Sequence, residues 1–458
     1  MKKRLTFSFL AGILFTILIS IGLLAIWIYP LPELPTTSTE KDVCTHHGIN
    51  FDFSSVRYIY QNPNTILEDP SLFWKKDPAY KLVAMAPQYA GKSLPPDGWV
   101  KQIEEISTLS NQEREEEKPF ARSVEIMEHA DTFCQNALPV ILSLLPDDAD
   151  ISTTVYVTAY NDSFFVFRGN IVMDAECQTL FGTTTEFFNI LSHEIFHIGY
   201  FNCQLYQTEV WSDVYQTTVL LTVLQNDGLA VYTQYLLSSL YPKPGEFDFL
   251  IIKNNFLVKI LLNRVNGLLQ ETDVLSETEA VLRAFTGKNA KALYLVGAYM
   301  ALTIDENLGR DVLVETVSKG PRSFITTYNT IAEDGMEVHE IPQPEELSII
   351  QVLRQAAIQG DIDMLTDTVN VINTAGIENP DGAVFEHLTS TGLILLKNKQ
   401  SGLAVEVFQL MVSLFPYHPY SYLYLGDAYT ANGDIDKALE AYEQVREFDP
   451  TLVPAVNQ

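Results

Sequence analysis

The chain has 458 residues, with 29 basic against 58 acidic side chains and a formal net charge of −29. A surface of that sign repels nucleic acid and anionic lipid headgroups, which excludes a nucleic-acid partner. Apolar residues make up 47% of the chain, ample for a core, and the length implies two domains beyond any anchor.

Met1–Arg4 reads MKKR, and Leu5–Tyr29 is uncharged and mostly apolar. At about 1.5 Å per residue that run spans roughly 37 Å as a helix, enough to cross a hydrocarbon core. Its exit, Ile26-Trp27-Ile28-Tyr29-Pro30, is bulky where a cleavable signal ends in small residues. Residues 1–29 are therefore expected to be a cytoplasmic tip and an uncleaved transmembrane anchor. Lys2, Lys3 and Arg4 hold the amino end inside, so the bulk of the chain lies outside the cytoplasm, in the cell envelope. Residues 30–50 follow as a linker, opening with PLPELPTTSTEK. His46 and His47 are adjacent and face different ways on regular structure, which does not suit a shared metal.

Four cysteines, Cys44, Cys134, Cys177 and Cys203, permit two disulfides outside the cytoplasm, in any of three pairings. Residues 51–100 read as irregular and aromatic, with strand-like pieces such as Val56–Tyr60. Val100–Leu109 and Phe120–Leu145 carry helical patterns, separated by a charged, solvated break over Glu113–Pro119. Alternating Val155, Val157 and Tyr160, then Phe164–Val172, read as strands joined at an Asn161-Asp162 turn.

Thr183–Tyr200, TTTEFFNILSHEIFHIGY, organises everything around it. Phe187, Phe188, Ile190, Leu191, Ile195, Phe196 and Ile198 make the stretch too apolar for a solvated face. His193 and His197 are four apart, so a helix stacks their imidazoles on one face, within reach of a single Zn²⁺. Glu194 points about 100° away, where it can take a proton from a water activated by the metal without ligating it. This H-E-x-x-H helix resembles that of the zincin metallopeptidases. In that group an edge strand commonly runs over the cleft, and Phe164–Asp174 is the candidate here.

Two histidines leave the metal short of one protein ligand. The acids in range are Glu209, Asp213 and Asp227. Gln225-Asn226-Asp227-Gly228-Leu229-Ala230-Val231-Tyr232 resembles the E-G-x-A-x-Y segment of gluzincin-like peptidases, whose acid is the third ligand. The resemblance implies that role for Asp227. Aspartate is one methylene shorter than the family's glutamate, so its helix must sit closer to the metal. The oxyanion of such a reaction needs a donor, and Tyr232 and Tyr294 are the candidates. Residues 246–335 read as largely helical. Tyr294-x-x-Gly297, Ile304-Asp-Glu306-x-x-Gly309-Arg310 and Gly320-Pro321-x-x-Phe324 resemble the closing helices of uncharacterised zinc-dependent peptidases.

Glu333–Glu346 is acidic and carries Pro342 and Pro344, a domain boundary. Beyond it Gly392, Ala404, Phe408 and Pro416 recur as Gly426, Ala438, Tyr442 and Pro450, a period of 34 residues. The second set resembles a tetratricopeptide repeat, in which small residues let two helices approach and aromatics fill the space between. Residues 347–375 read as a degenerate earlier pair, with Gly360-Asp-Ile-Asp363 echoing Gly433-Asp-Ile-Asp436 out of phase.

The expected fold is α+β and mostly helical. A zincin-like catalytic domain with a small β-sheet covers residues 51–335, and α-helical tetratricopeptide hairpins cover 347–458. The expected function is a membrane-anchored zinc metallopeptidase with one Zn²⁺, held by His193, His197 and Asp227. Glu194 is its general base, a peptide or protein its substrate, and a further protein partner would bind the tail. The rival expectations are a non-catalytic envelope scaffold that binds partners through the tail, and a zinc amidase or esterase of non-peptide substrates.

Overall fold

The computed structural model describes residues 43–46, 48–85, 94–147, 149–161, 164–167, 169–176, 182–204, 215–242, 247–271, 288–339, 352–353, 356–357, 361–375 and 382–448. The expected anchor over 1–29, most of the linker, His47, Cys177, Glu209 and Asp213 lie outside them. Among the described residues no helix is long and apolar enough to cross a membrane. The chain divides into two compact units, one of residues 1–204 and 219–340, the other of 205–218 and 341–458.

The first unit opens with strands β1 (Val43–His46) and β2 (Ile49–Asp52). Helices α1 (Ser54–Gln61), α2 (Pro63–Glu68), α3 (Pro70–Lys76), α4 (Pro78–Met85), α5 (Asp97–Thr108), α6 (Asn111–Glu116) and α7 (Lys118–Leu142) follow. The strand expected at Val56–Tyr60 is thus the body of α1. Val56, Ile59 and Tyr60 are all buried, at the i, i+3, i+4 spacing of one helix face. The expected break at Glu113–Pro119 narrows to Glu117, whose extended backbone separates α6 from α7. A capping box opens α6, with Ser110 and Glu113 each satisfying the other's backbone N–H. Pro119 then sits in the first turn of α7, where its missing N–H costs nothing. Arg114 ties α6 back by donating to the carbonyls of Tyr60, Ile106 and Ser107.

Strands β3 (Thr153–Thr158), β4 (Phe164–Phe167) and β5 (Asn170–Asp174) complete a five-stranded sheet in the order β1-β2-β3-β5-β4. The expected β3–β4 hairpin does not form. β3 pairs in parallel with β2 (Phe51 opposite Val155) and with β5 (Val157 opposite Met173). Tyr160, at φ +63°, turns the chain out of β3, and Asp174 accepts from the Asn161 N–H. Phe164–Asp174 is therefore not one edge strand but a tight hairpin, with Gly169 at φ +70° in its turn. β4 forms the sheet edge opposite β1, and it packs on α8 (Thr184–Gln204).

A second capping box starts α8. The Thr183 hydroxyl accepts from Glu186 N, and the Glu186 carboxylate accepts from Thr183 N. Its apolar side chains are buried on every face; Phe188 stacks on Phe133 of α7 with ring centroids 4.6 Å apart. Then come α9 (Tyr215–Leu236), α10 (Phe247–Ile251), α11 (Asn255–Glu271), α12 (Lys288–Leu308), α13 (Arg310–Lys319) and α14 (Pro321–Asn329).

The second unit holds α15 (Ile362–Ala375), α16 (Gly382–Lys397), α17 (Ser401–Leu414), α18 (Pro419–Asn432) and α19 (Ile435–Phe448). α16 packs on α17, α17 on α18, and α18 on α19. A Cβ on Gly392 would fall 2.2 Å from the Phe408 ring, and one on Gly426 would fall 2.5 Å from the Tyr442 ring. The same small-against-aromatic contact therefore recurs one repeat apart.

Candidate metal centre

Helices α8 and α9 face each other through buried polar side chains. Tyr200 donates to Gln225 Oε1 at 2.7 Å, and Gln225 Nε2 donates onward to the Thr316 carbonyl. His197 Nδ1 meets Asn226 Oδ1 at 2.9 Å. Gln234 Nε2 donates to Asn189 Oδ1 at 3.0 Å, and Asn189 Nδ2 donates to the carbonyls of Gln234 and Tyr241. The numbering rises on one helix as it falls on the other, so the two run antiparallel. In a core that is otherwise apolar, a slip of one turn would leave each of these groups unsatisfied at a cost of about 1–3 kcal/mol apiece. The register is thereby fixed, and it brings Asp227 opposite the two histidines.

One donor atom each from His193, His197 and Asp227 lies within 4.8 Å of the other two. His197 Nε2 is 3.9 Å from Asp227 Oδ1, and the two imidazole rings stand at right angles with centroids 4.6 Å apart. Because Asn226 offers an oxygen to Nδ1, the Nδ1–H tautomer of His197 is favoured. Its Nε2 lone pair is then left on the side of Asp227.

Burial governs the electrostatics. It pushes the Glu194 carboxyl up to about 8, and the nearby charge of Asp227 adds to that. It pushes Asp227 to about 8 as well. It drives His197 down to about 4, against the hydrogen bond to the Asn226 oxygen that works the other way. Without a cation the cluster therefore sits at neutral pH with its carboxyls protonated and His197 uncharged. Two imidazole nitrogens and one carboxylate oxygen are ligands that zinc accepts, and a divalent cation supplies the charge that this dry site lacks.

The two tyrosines part company. Tyr232 donates its hydroxyl to Asp305 at 2.6 Å, and Asp305 is in turn ion-paired with Arg310, whose guanidinium lies over the Tyr232 ring. That hydroxyl is engaged in a structural cluster. The Tyr294 hydroxyl is buried with no hydrogen-bond partner among the described residues. Burial raises its pKa well above the usual phenol value, and the charges of Asp227 and Glu194 raise it further, which places it in their field. Asn226 was not marked in the sequence as part of the site. Its only signal is that it adjoins the candidate acid.

The profile of a family described as "putative zinc dependent peptidase" (DUF5700) matches residues 33–335, more than half of the chain. The chain belongs to that family. Residues 419–452, which contain α18 and α19, match the tetratricopeptide repeat. No curated protein and no solved structure matches the chain.

Proposed function

We propose that this chain hydrolyses peptide bonds, with His193, His197 and Asp227 holding one zinc ion and Glu194 acting as general base. The observation that carries the reading is the meeting of three metal-ligating side chains, from two antiparallel helices, beside a buried glutamate. Bound zinc would supply a Lewis acid that polarises the substrate carbonyl and makes a water acidic near neutral pH. Glu194 takes the proton from that water and delivers it to the leaving amine. Tyr294, with no other partner among the described residues, donates its hydroxyl to the oxygen on which charge develops. Asn226 holds the His197 ring by accepting from Nδ1. The outer edge of β4 pairs with no strand among the described residues, and an extended peptide can add there as a further strand.

In the same reading the tetratricopeptide unit binds a protein partner. The apolar run Leu5–Tyr29 tethers the chain to a membrane with both units outside the cytoplasm. The decisive experiment is metal analysis of the purified protein together with a Glu194→Gln variant assayed on casein. The expected result is one zinc per chain and a loss of about a thousandfold in the variant. Absence of zinc, or a variant as active as the parent, would overturn the proposal.

A further inference from the structure

The repeat that shapes the second unit also leaves a seat open in it. On α17, Ser401 donates to Asn432 Oδ1 and Gln409 donates to the Tyr429 hydroxyl, both on α18. Residues 401, 405 and 409 are four apart and share one face, so Val405 stands between two contacts to α18. It is 8% exposed. Ser401 meets Asn432 and the Phe408 ring stacks on Tyr424, so α18 runs antiparallel to α17. One period of 34 residues later, the same ridge of α19 is Ile435, Leu439 and Glu443. Ile435 is 53% exposed and Leu439 40%, and Glu443 is exposed as well. Among the described residues no helix follows α19 to cover them. The fold thus shows by its own example what belongs on this ridge, which is an antiparallel helix.

Charge decides which helix fits. From 3.6 residues per turn, Glu443, Asp436 and Glu440 lie about 40°, 60° and 100° round from Leu439, on the side away from the buried Ala438 and Val445. All three acids are exposed, and none of them is ion-paired among the described residues. The two cations of α19 stand elsewhere. Lys437 lies over the Tyr429 ring, and Arg446 is about two turns beyond Leu439, at the end of the ridge.

We propose that Ile435 and Leu439, with the acidic flank beside them, seat an amphipathic α-helix of a partner protein, one that carries basic residues along its apolar stripe. The apolar stripe packs on Ile435 and Leu439 as α18 lies over Val405, and the basic residues meet Asp436, Glu440 and Glu443. A second copy of the chain is disfavoured, because it would set these acids against their own kind. The proposal rests on the reading of this unit as one that binds a protein partner, and adds the place and the chemistry. It is independent of the metal site.

The test uses the full chain in nanodiscs of zwitterionic lipid and two dye-labelled helical peptides of one pattern. Both carry leucine on one face, flanked by lysine in one peptide and by glutamate in the other. Anisotropy is read as the excess over empty nanodiscs. The lysine peptide should bind at least tenfold tighter than the glutamate peptide. Ile435→Ser with Leu439→Ser, both at exposed positions, should weaken it about tenfold. Asp436→Lys with Glu443→Lys should reverse the preference between the peptides. Glu104→Lys with Glu105→Lys, exposed on α5 of the other unit, should leave it unchanged. Lysine-peptide binding that ignores the two serine changes would overturn the placing on α19, while the unit would still bind a helix. Binding of neither peptide would overturn the helix as the partner. So would a dimer that Leu439→Glu dissolves, because the ridge would then seat a second copy.

Discussion

Gly228 and Gly297 lie in contact where α9 crosses α12. A Cβ on Gly228 would fall 2.5 Å from the Gly297 Cα, and one on Gly297 would fall 1.9 Å from the Leu224 carbonyl oxygen. Neither position admits a side chain, because the obstacle is backbone on both sides. Asp227 precedes one glycine, and Tyr294 stands one turn before the other. The crossing therefore sets how near α12 brings the Tyr294 hydroxyl to the carboxyl of Asp227, the proposed third ligand. Gly297→Ala should cost about 3 kcal/mol in urea denaturation, at the upper end for overpacking. It should also weaken zinc binding. Gly98→Ala, where a Cβ would meet nothing within 4 Å, should leave stability level or slightly raised. Equal stabilities for the two variants would refute this view of the crossing.

The Asn226–His197 hydrogen bond leads to a second prediction. Asn226→Ala removes the acceptor that holds the ring, and zinc affinity should fall by about 10–100-fold, as for other outer partners of metal-bound histidines. Asn226→Asp keeps an oxygen in place and should recover most of the loss. Competition with a chromophoric chelator measures both. An alanine variant that binds zinc as tightly as the parent would show that packing alone orients the ring.

What could be read from the sequence was what is local in it. His193, Glu194 and His197 declare themselves within five residues. The Gly392–Phe408 and Gly426–Tyr442 contacts are legible because the pattern repeats. The misread elements lacked that help. Val56–Tyr60 is a short apolar run, and only the burial of Val56, Ile59 and Tyr60 together shows its helical period. The parallel pairing of β3 with β5 leaves no turn signature, so Asn161 between two apolar runs suggested a hairpin where β3 in fact pairs with β5. The separation of Tyr232 from Tyr294 depends on Asp305, far along the chain, whose carboxylate no neighbouring residue announces.

That separation is testable in turn. Tyr294→Phe keeps the ring and removes a buried hydroxyl that lies in the field of Asp227 and Glu194. On the proposed mechanism kcat should fall by about a hundredfold with KM little changed, as expected for a donor used only in the transition state. Tyr232→Phe should behave in the opposite way. It leaves Asp305 and Arg310 with one partner fewer and should lower thermal stability, while kcat per folded molecule stays near the parent value. The reverse pattern would move the oxyanion role to Tyr232.

The buried carboxyls also make metal loading depend on pH, with a sign that follows from their environment. Asp227 and Glu194 titrate at about 8 in the metal-free fold, against ordinary carboxylate values of 3.8 and 4.5. A carboxyl with a raised folded pKa favours the fold while it is protonated. That contribution is complete below the ordinary value and is lost as pH rises through about 8. The metal-free protein should therefore lose thermal stability progressively between about pH 4 and pH 8 and level off above that, over and above any change in the rest of the chain. Zinc can be ligated only by the deprotonated Asp227, and its charge also drives the proton from Glu194. Binding at pH 7 should then release between about one and two protons per zinc, falling toward none near pH 10. Calorimetric titration in buffers of different ionisation enthalpy gives that number directly. Release of no protons at pH 7 would mean that both carboxyls are already ionised before the metal arrives. The site would then be wetter than its burial implies.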